Sequence, residues 1–151
     1  VTPPILDPQK VAAASLEAYY AGTLCAQTNF GGDYGSASAF YITDDTNYPN
    51  ARCAIGAGMT AEQAQLAERR PGVRDYRISG LILAGLFQTT SIEAMNDLQL
   101  LQQLHDMWST QRISRTLTPR PGTAEETRFV EFATAMANNT VTDEMRDRLR
   151  T

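Results

Sequence analysis

The sequence predicts a mainly α-helical fold of five or six helices around one central buried helix. A small hairpin or irregular segment near residues 22–50 leaves an α+β variant open. Three observations carry this. Apolar residues recur at helical spacing along most of the chain, several of these stretches open on a Ser or Thr capping pattern, and the stretch from Ser91 to Thr110 is apolar on two faces. With 151 residues, 42% hydrophobic and 20% charged, the chain is long enough to fold as one domain, 1–151, without a metal or a disulfide.

The elements follow in order. Asp7-Pro8 reads as an N-cap and first helical residue, and the Ala-rich stretch from Gln9 to Ala21 runs to Gly22, a natural C-terminal stop. Val11, Leu16, Tyr19 and Tyr20 are its large apolar groups, and Ala12 to Ala14 permit a close neighbour. From Gly22 to Asn50 the chain turns rich in Gly, Ser, Asn and Asp, interleaved with Phe30, Tyr34, Phe40, Tyr41 and Tyr48. Ala39 to Thr43 is its best strand candidate, because Phe40, Tyr41, Ile42 and Thr43 favour a pleated surface. Thr60 and Gln63 form a capping box for a short helix that Arg70-Pro71-Gly72 ends. Gly80 to Phe87, apolar all round, is expected to be a buried helix.

Ser91 then caps a helix reaching about Thr110, with Leu98, Leu101, His105 and Trp108 on one stripe and Leu100, Leu104 and Met107 on another. Such a helix belongs at the centre of the domain. Thr118 to Gly122 is a connector. Thr123 and Glu126 form a second capping box for a helix carrying Phe129, Phe132, Ala133 and Met136, and a last polar helix, Asp143 to Arg150, is capped by Thr140 or Thr142.

Charge and composition exclude some functions. Seventeen acidic residues against 13 basic give a net charge of −4, with the signs mixed along the chain, so no nucleic-acid surface is expected. The longest run without a charge or large polar group, Ile78 to Phe87, is about half of what a bilayer span requires. No membrane contact is expected, and without a secretory pattern at Val1-Thr2-Pro3-Pro4 the expected location is cytoplasmic. Cys25 and Cys53 are too few for a disulfide framework. One bridge would close a loop of about 28 residues, contributing ~3 kcal/mol in the chain-entropy model, but two reduced thiols are the expectation.

His105 is the sole histidine, so any histidine-based mechanism must use it. Paired with Cys53 as nucleophile, or less well with Cys25, and oriented by Asp97, Asp106 or Asn96, it would give an acyl transferase or hydrolase. Gly56 and Gly58 would leave backbone N–H groups free for an oxyanion. The bland alternative makes Cys53 a small buried apolar residue and His105 a core residue with one nitrogen bonded to a carbonyl or carboxylate. No metal or cofactor is expected: two Cys and one His leave a zinc site a ligand short, and Asp44-Asp45-Thr46-Asn47 reads as a solvated turn.

The Asn29-Phe30-Gly31-Gly32-Asp33-Tyr34-Gly35 segment has the composition of a binding loop, with glycines for unusual dihedrals and rings for stacking, but does not fit a dinucleotide fingerprint. Asn29, Phe30, Tyr34, Tyr41 and Tyr48 are accordingly the candidate contacts to a partner protein. Cys53-Ala54-Ile55-Gly56-Ala57 followed by Asn96-Asp97 resembles the C-x-x-G-A motif and later N-D pair of small phage and bacterial domains of unknown function, over Val11 to Trp108. The resemblance implies a mostly helical fold and does not supply an activity. Two functions stand as expectations: a protein-binding or regulatory protein, phage-associated on that resemblance, and the Cys53/His105 enzyme. The oligomeric state is left open.

Overall fold

The computed structural model describes residues 2–25, 41–43, 47–48, 50–69, 77–113 and 116–151. Among these lie seven helices: α1 (Pro8–Ala21), α2 (Ala54–Ala57), α3 (Ala61–Arg69), α4 (Ile78–Leu83), α5 (Ile92–Ser109), α6 (Ala124–Ala137) and α7 (Asp143–Arg150). The fold is mainly α, as expected. α5 is its centre, touching α1, α2, α4 and α6, while α1 also lies along α6 and α7 along α6.

Local signals set the helix ends. Pro8 opens α1, and Gly22, at φ 73°, closes it while Thr23 N–H donates to Ala18 O. Asp7 holds the N-cap position, yet its side chain makes no capping bond. Thr60 and Gln63 cap each other's N–H groups at the start of α3. Ser91 Oγ accepts from Ala94 N at 3.0 Å to open α5, and Thr142, not Thr140, caps α7. At α6, Thr123 Oγ1 accepts from Glu126 N, but Glu126 returns the bond to Gly122 N–H and also accepts from the Tyr19 hydroxyl. The box thus ties α1 to α6.

Three expectations change. α2 is an extra helix, too short to show a period, started by Cys53 Sγ accepting from Gly56 N. The apolar run expected as a buried helix over Gly80 to Phe87 begins earlier and stops at Leu83, because Gly85 at φ 74° turns the chain; Leu83 is 88% exposed. Its N-terminus is capped from another helix, Gln99 Oε1 accepting from Ile78 N at 2.9 Å. The strand over Ala39 to Thr43 is not seen in its described part, Tyr41 to Thr43. Tyr41 N–H donates to the Glu68 carboxylate and its carbonyl packs on Gly56, while Thr43 N–H donates to Ala51 O at 2.9 Å, so the backbone does not follow a strand ladder. Among the described residues β structure amounts to isolated bridges: Ile5 with Gln88, Leu24 with Arg52 and Arg112 with Pro119.

The core gathers Leu98, Leu101, Leu104 and Trp108 of α5 with Phe129, Phe132 and Met136 of α6, Val11 and Ala12 of α1 and Ile55 of α2. Both predicted stripes of α5 are buried except at Met107, which is half exposed. Ser15 fixes α2 on α1 by donating to Ala54 O at 2.6 Å. Trp108 Nε1–H donates to Arg120 O and holds the connector before α6.

Candidate functional site

The three residues proposed for catalysis occupy separate environments. Cys53, at the N-cap of α2, is fully buried, and its sulfur accepts from Gly56 N at 3.3 Å beside the Gln102 side chain. Burial pushes its thiol up to about 12; the neighbouring Gln102 amide and the Gly56 N–H oppose that shift, and the Asp106 and Glu68 charges add to it. At pH 7 such a group carries about one thiolate in 10^5 molecules, the opposite of an activated nucleophile.

His105 is equally buried, edge-on to Phe129 at 5.6 Å and to Trp108 at 6.1 Å between ring centroids. Its Nδ1 lies 3.7 Å from Asp106 Oδ1, beyond hydrogen-bond reach, and neither ring nitrogen has a hydrogen-bond partner among the described residues. It is therefore a core residue as the bland reading holds, without the carbonyl or carboxylate bond expected for it. Cys53 and His105 share no hydrogen bond.

Asp97 lies eight residues before His105 on α5, about 12 Å along the axis. It does not orient the imidazole. Arg146 of α7 grips it bidentately, Nε to Oδ1 at 2.8 Å and Nη2 to Oδ2 at 3.0 Å. The expected oxyanion donors are also taken, Gly56 N by the Cys53 sulfur and Gly58 N by Ile55 O. Gln102, which the sequence reading passed over, is the polar neighbour that Cys53 does have; its Oε1 accepts from Ile55 N at 3.3 Å. The available signal was an amide placed beside Leu98 and Leu101 on an apolar stripe.

Of the proposed partner contacts, Asn29, Phe30 and Tyr34 lie outside the described residues. Tyr41 is fully buried in the core, which corrects its assignment as a surface contact, and Tyr48 is half-buried and packed against the same core. Where described, the 22–50 segment buries Leu24, Cys25, Tyr41, Ile42 and Thr43, while Gly22, Thr23, Asn47 and Asn50 are exposed. Among the described residues no group of three His, Cys, Asp or Glu side chains is placed to hold a metal ion, and no helix is long and apolar enough to cross a membrane.

What faces solvent is a set of large apolar side chains: Leu83 at 88%, Tyr20 at 76%, Ile92 at 75% and Ile5 at 54%. Three of these lie on the two segments that the Ile5–Gln88 bridge joins. The Pro4 to Leu6 segment bonds to Gln88, with Leu6 N–H donating to Gln88 O and Gln88 N–H to Pro4 O, and Gln88 lies on the short loop between Leu83 and Ile92. Asn96, Gln99 and Gln103 of α5 line an open groove with Arg77 and Ser79. Comparison with protein-family models, with curated proteins and with solved structures finds no match.

The buried thiol gives a titration that can be checked. Its folded pKa, about 12, lies above the ordinary 9.0, so the unfolded chain loses this proton first as pH rises. The contribution is fully present below pH 9 and is lost as pH climbs toward the folded value. Reduced protein should lose about 2 kcal/mol through this group by about pH 10.5, on the order-of-magnitude scale of linkage. Chemical denaturation of Cys53→Ala against wild type, at about pH 8 and 10.5, should show this difference; parallel losses would mean that the thiol is not held neutral by burial.

Proposed function

We propose that this is a non-enzymatic binding protein, regulatory in role, whose partner is another protein in a phage or bacterial setting. The observation that carries the reading is the exposure of Ile5, Leu83 and Ile92 on the two segments that the bridge at Gln88 joins. Large aliphatic groups held in water cost free energy that docking recovers, which makes these three side chains the proposed contact. The Gly- and aromatic-rich 22–50 segment, with Asn29, Phe30 and Tyr34, remains the second element of the proposed contact. Its buried residues Leu24, Cys25, Tyr41 and Ile42 anchor it to the core. The enzyme alternative has no supporting observation, since Cys53 is buried and protonated and His105 does not reach it.

The test is comparative cross-linking in the native host with the wild type and a Leu83→Asp, Ile92→Asp double variant. Both positions are exposed, so melting should stay within about 1 kcal/mol. A partner captured by wild type should be lost by the variant. An unchanged set of cross-linked proteins would remove Leu83 and Ile92 from the contact, and a matching Phe30→Ala, Tyr34→Ala variant would then decide whether the 22–50 segment carries it.

A further inference from the structure

The bridge between Leu24 and Arg52 has a consequence for the two cysteines. It is parallel: Arg52 N–H donates to Thr23 O and Cys25 N–H donates to Arg52 O, both at 2.9 Å. With Leu24 opposite Arg52, the next residues on the two segments, Cys25 and Cys53, stand opposite each other. Registered residues of parallel segments point their side chains to the same face. Cys25 and Cys53 are both completely buried in one core cluster, so that face is the inner one. Neighbouring extended segments run about 4.8 Å apart, within the roughly 4.4–6.8 Å between Cα atoms that a disulfide accepts. Nothing in the spacing of the two residues along the chain announces this.

We propose that Cys25 and Cys53, both thiols in this structure, are a covalent modification site and are joined by an intramolecular disulfide when the chain folds in the presence of a low-molecular-weight disulfide. In the first step one cysteine thiolate attacks the reagent RS–SR, breaking its S–S bond and forming a mixed disulfide. The released RS⁻ takes up a proton. The second cysteine thiolate then attacks the protein-side sulfur of the mixed disulfide, forming the Cys25–Cys53 bond and expelling the other RSH. The two cysteines lose two electrons and two protons, and the reagent is reduced to two thiols. Because both sulfurs are enclosed once the core has formed, the exchange belongs to folding or to an opened state, and the finished bond is shielded from reductant in the same way.

The bridge would close the 22–50 segment at its base, fixing the ends of the loop that the proposed contact uses. It does not depend on that reading, because it follows from backbone register alone. Such bonds persist in oxidising compartments and are rare in the cytosol, so finding the bridge in native protein would count against the cytoplasmic expectation drawn from the sequence.

The test refolds the full chain from guanidinium in buffers of reduced and oxidised glutathione, then measures intact mass and melting without reductant. The expected product is monomeric, about 2 Da lighter than the reduced chain, unreactive to iodoacetamide when unfolded, and melts roughly 10 °C higher than the reduced form. Cys25→Ala in the same buffers should show neither the mass loss nor the rise. The proposal is overturned if wild type keeps two alkylatable thiols, ends as glutathione adducts or linked dimers, melts no higher when bridged than when reduced, or if the rise persists in Cys25→Ala.

Discussion

Gly56→Ala is expected to be the most damaging single-methyl change in the described structure. A Cβ built at Gly56 stands 2.1 Å from Tyr41 O and 2.8 Å from both Tyr41 C and Cα. These are backbone atoms, so no side-chain rotation relieves the clash. The same backbone is held by Tyr41 N–H on Glu68, and α2 is held from its other side by Ser15 and Gln102. Neither partner can retreat without giving up a hydrogen bond, part-buried at Tyr41 and buried at α2. Overpacking of this kind costs typically 1–3 kcal/mol where neighbours can shift, and here about 3 kcal/mol or more is expected. Gly85→Ala is the natural comparison: its Cβ meets nothing within 4 Å, and only its φ of 74° opposes the change, at a cost of about 1 kcal/mol. Equal losses in urea titrations of the two variants would mean that α2 and Tyr41 are not packed as described.

The second large effect is expected at Arg146. Its guanidinium, 14% exposed, holds the 11% exposed Asp97 carboxylate bidentately and meets Asp143 at 2.8 Å and Glu93 at 3.2 Å. The Asp97 hydrogen bonds foremost, against some desolvation, push the guanidinium still further up from its ordinary value. Arg146→Ala leaves Asp97 at the foot of α7 with its partner gone and a half-enclosed charge, a loss of about 3 kcal/mol. Because Asp97 is on α5 and Arg146 on α7, the change should also loosen the last helix, raising amide exchange there before the rest of the domain. Arg148→Ala removes the exposed pair with Glu131 and should leave melting unchanged. If Arg146→Ala were as mild as Arg148→Ala, α7 would be held by Leu149 and by Arg128 on Leu149 O rather than by the ion pair.

The site was much less legible than the fold, and the residues show why. A cap is a bond between positions three apart, so Thr123 and Glu126 announced α6 and Ser91 announced α5 without reference to any other part of the chain. Whether Cys53 meets His105, or Asp97 orients it, depends on how α2, α5 and α7 stack, and a list of reactive residue types holds no such information. Tyr41 illustrates the same limit for surfaces. A tyrosine in a Gly-rich loop reads as a binding group, yet here its backbone serves α2 and α3 and its ring fills the core.

What the sequence by itself determined was the presence of the longer helices, α2 and the exact span of α4 excepted, and the central place of α5, because both follow from local capping chemistry and from a periodicity that commits two faces of one helix to burial. Only the tertiary structure decided where the polar groups go. It set Gln102, rather than His105, beside Cys53, gave Asp97 to Arg146, and brought Cys25 into register with Cys53 across a two-bond parallel bridge. Each of those pairings joins residues 28 to 49 positions apart, and contacts at that separation are selected by the packing of whole elements, on which the identity of the two residues alone places almost no constraint.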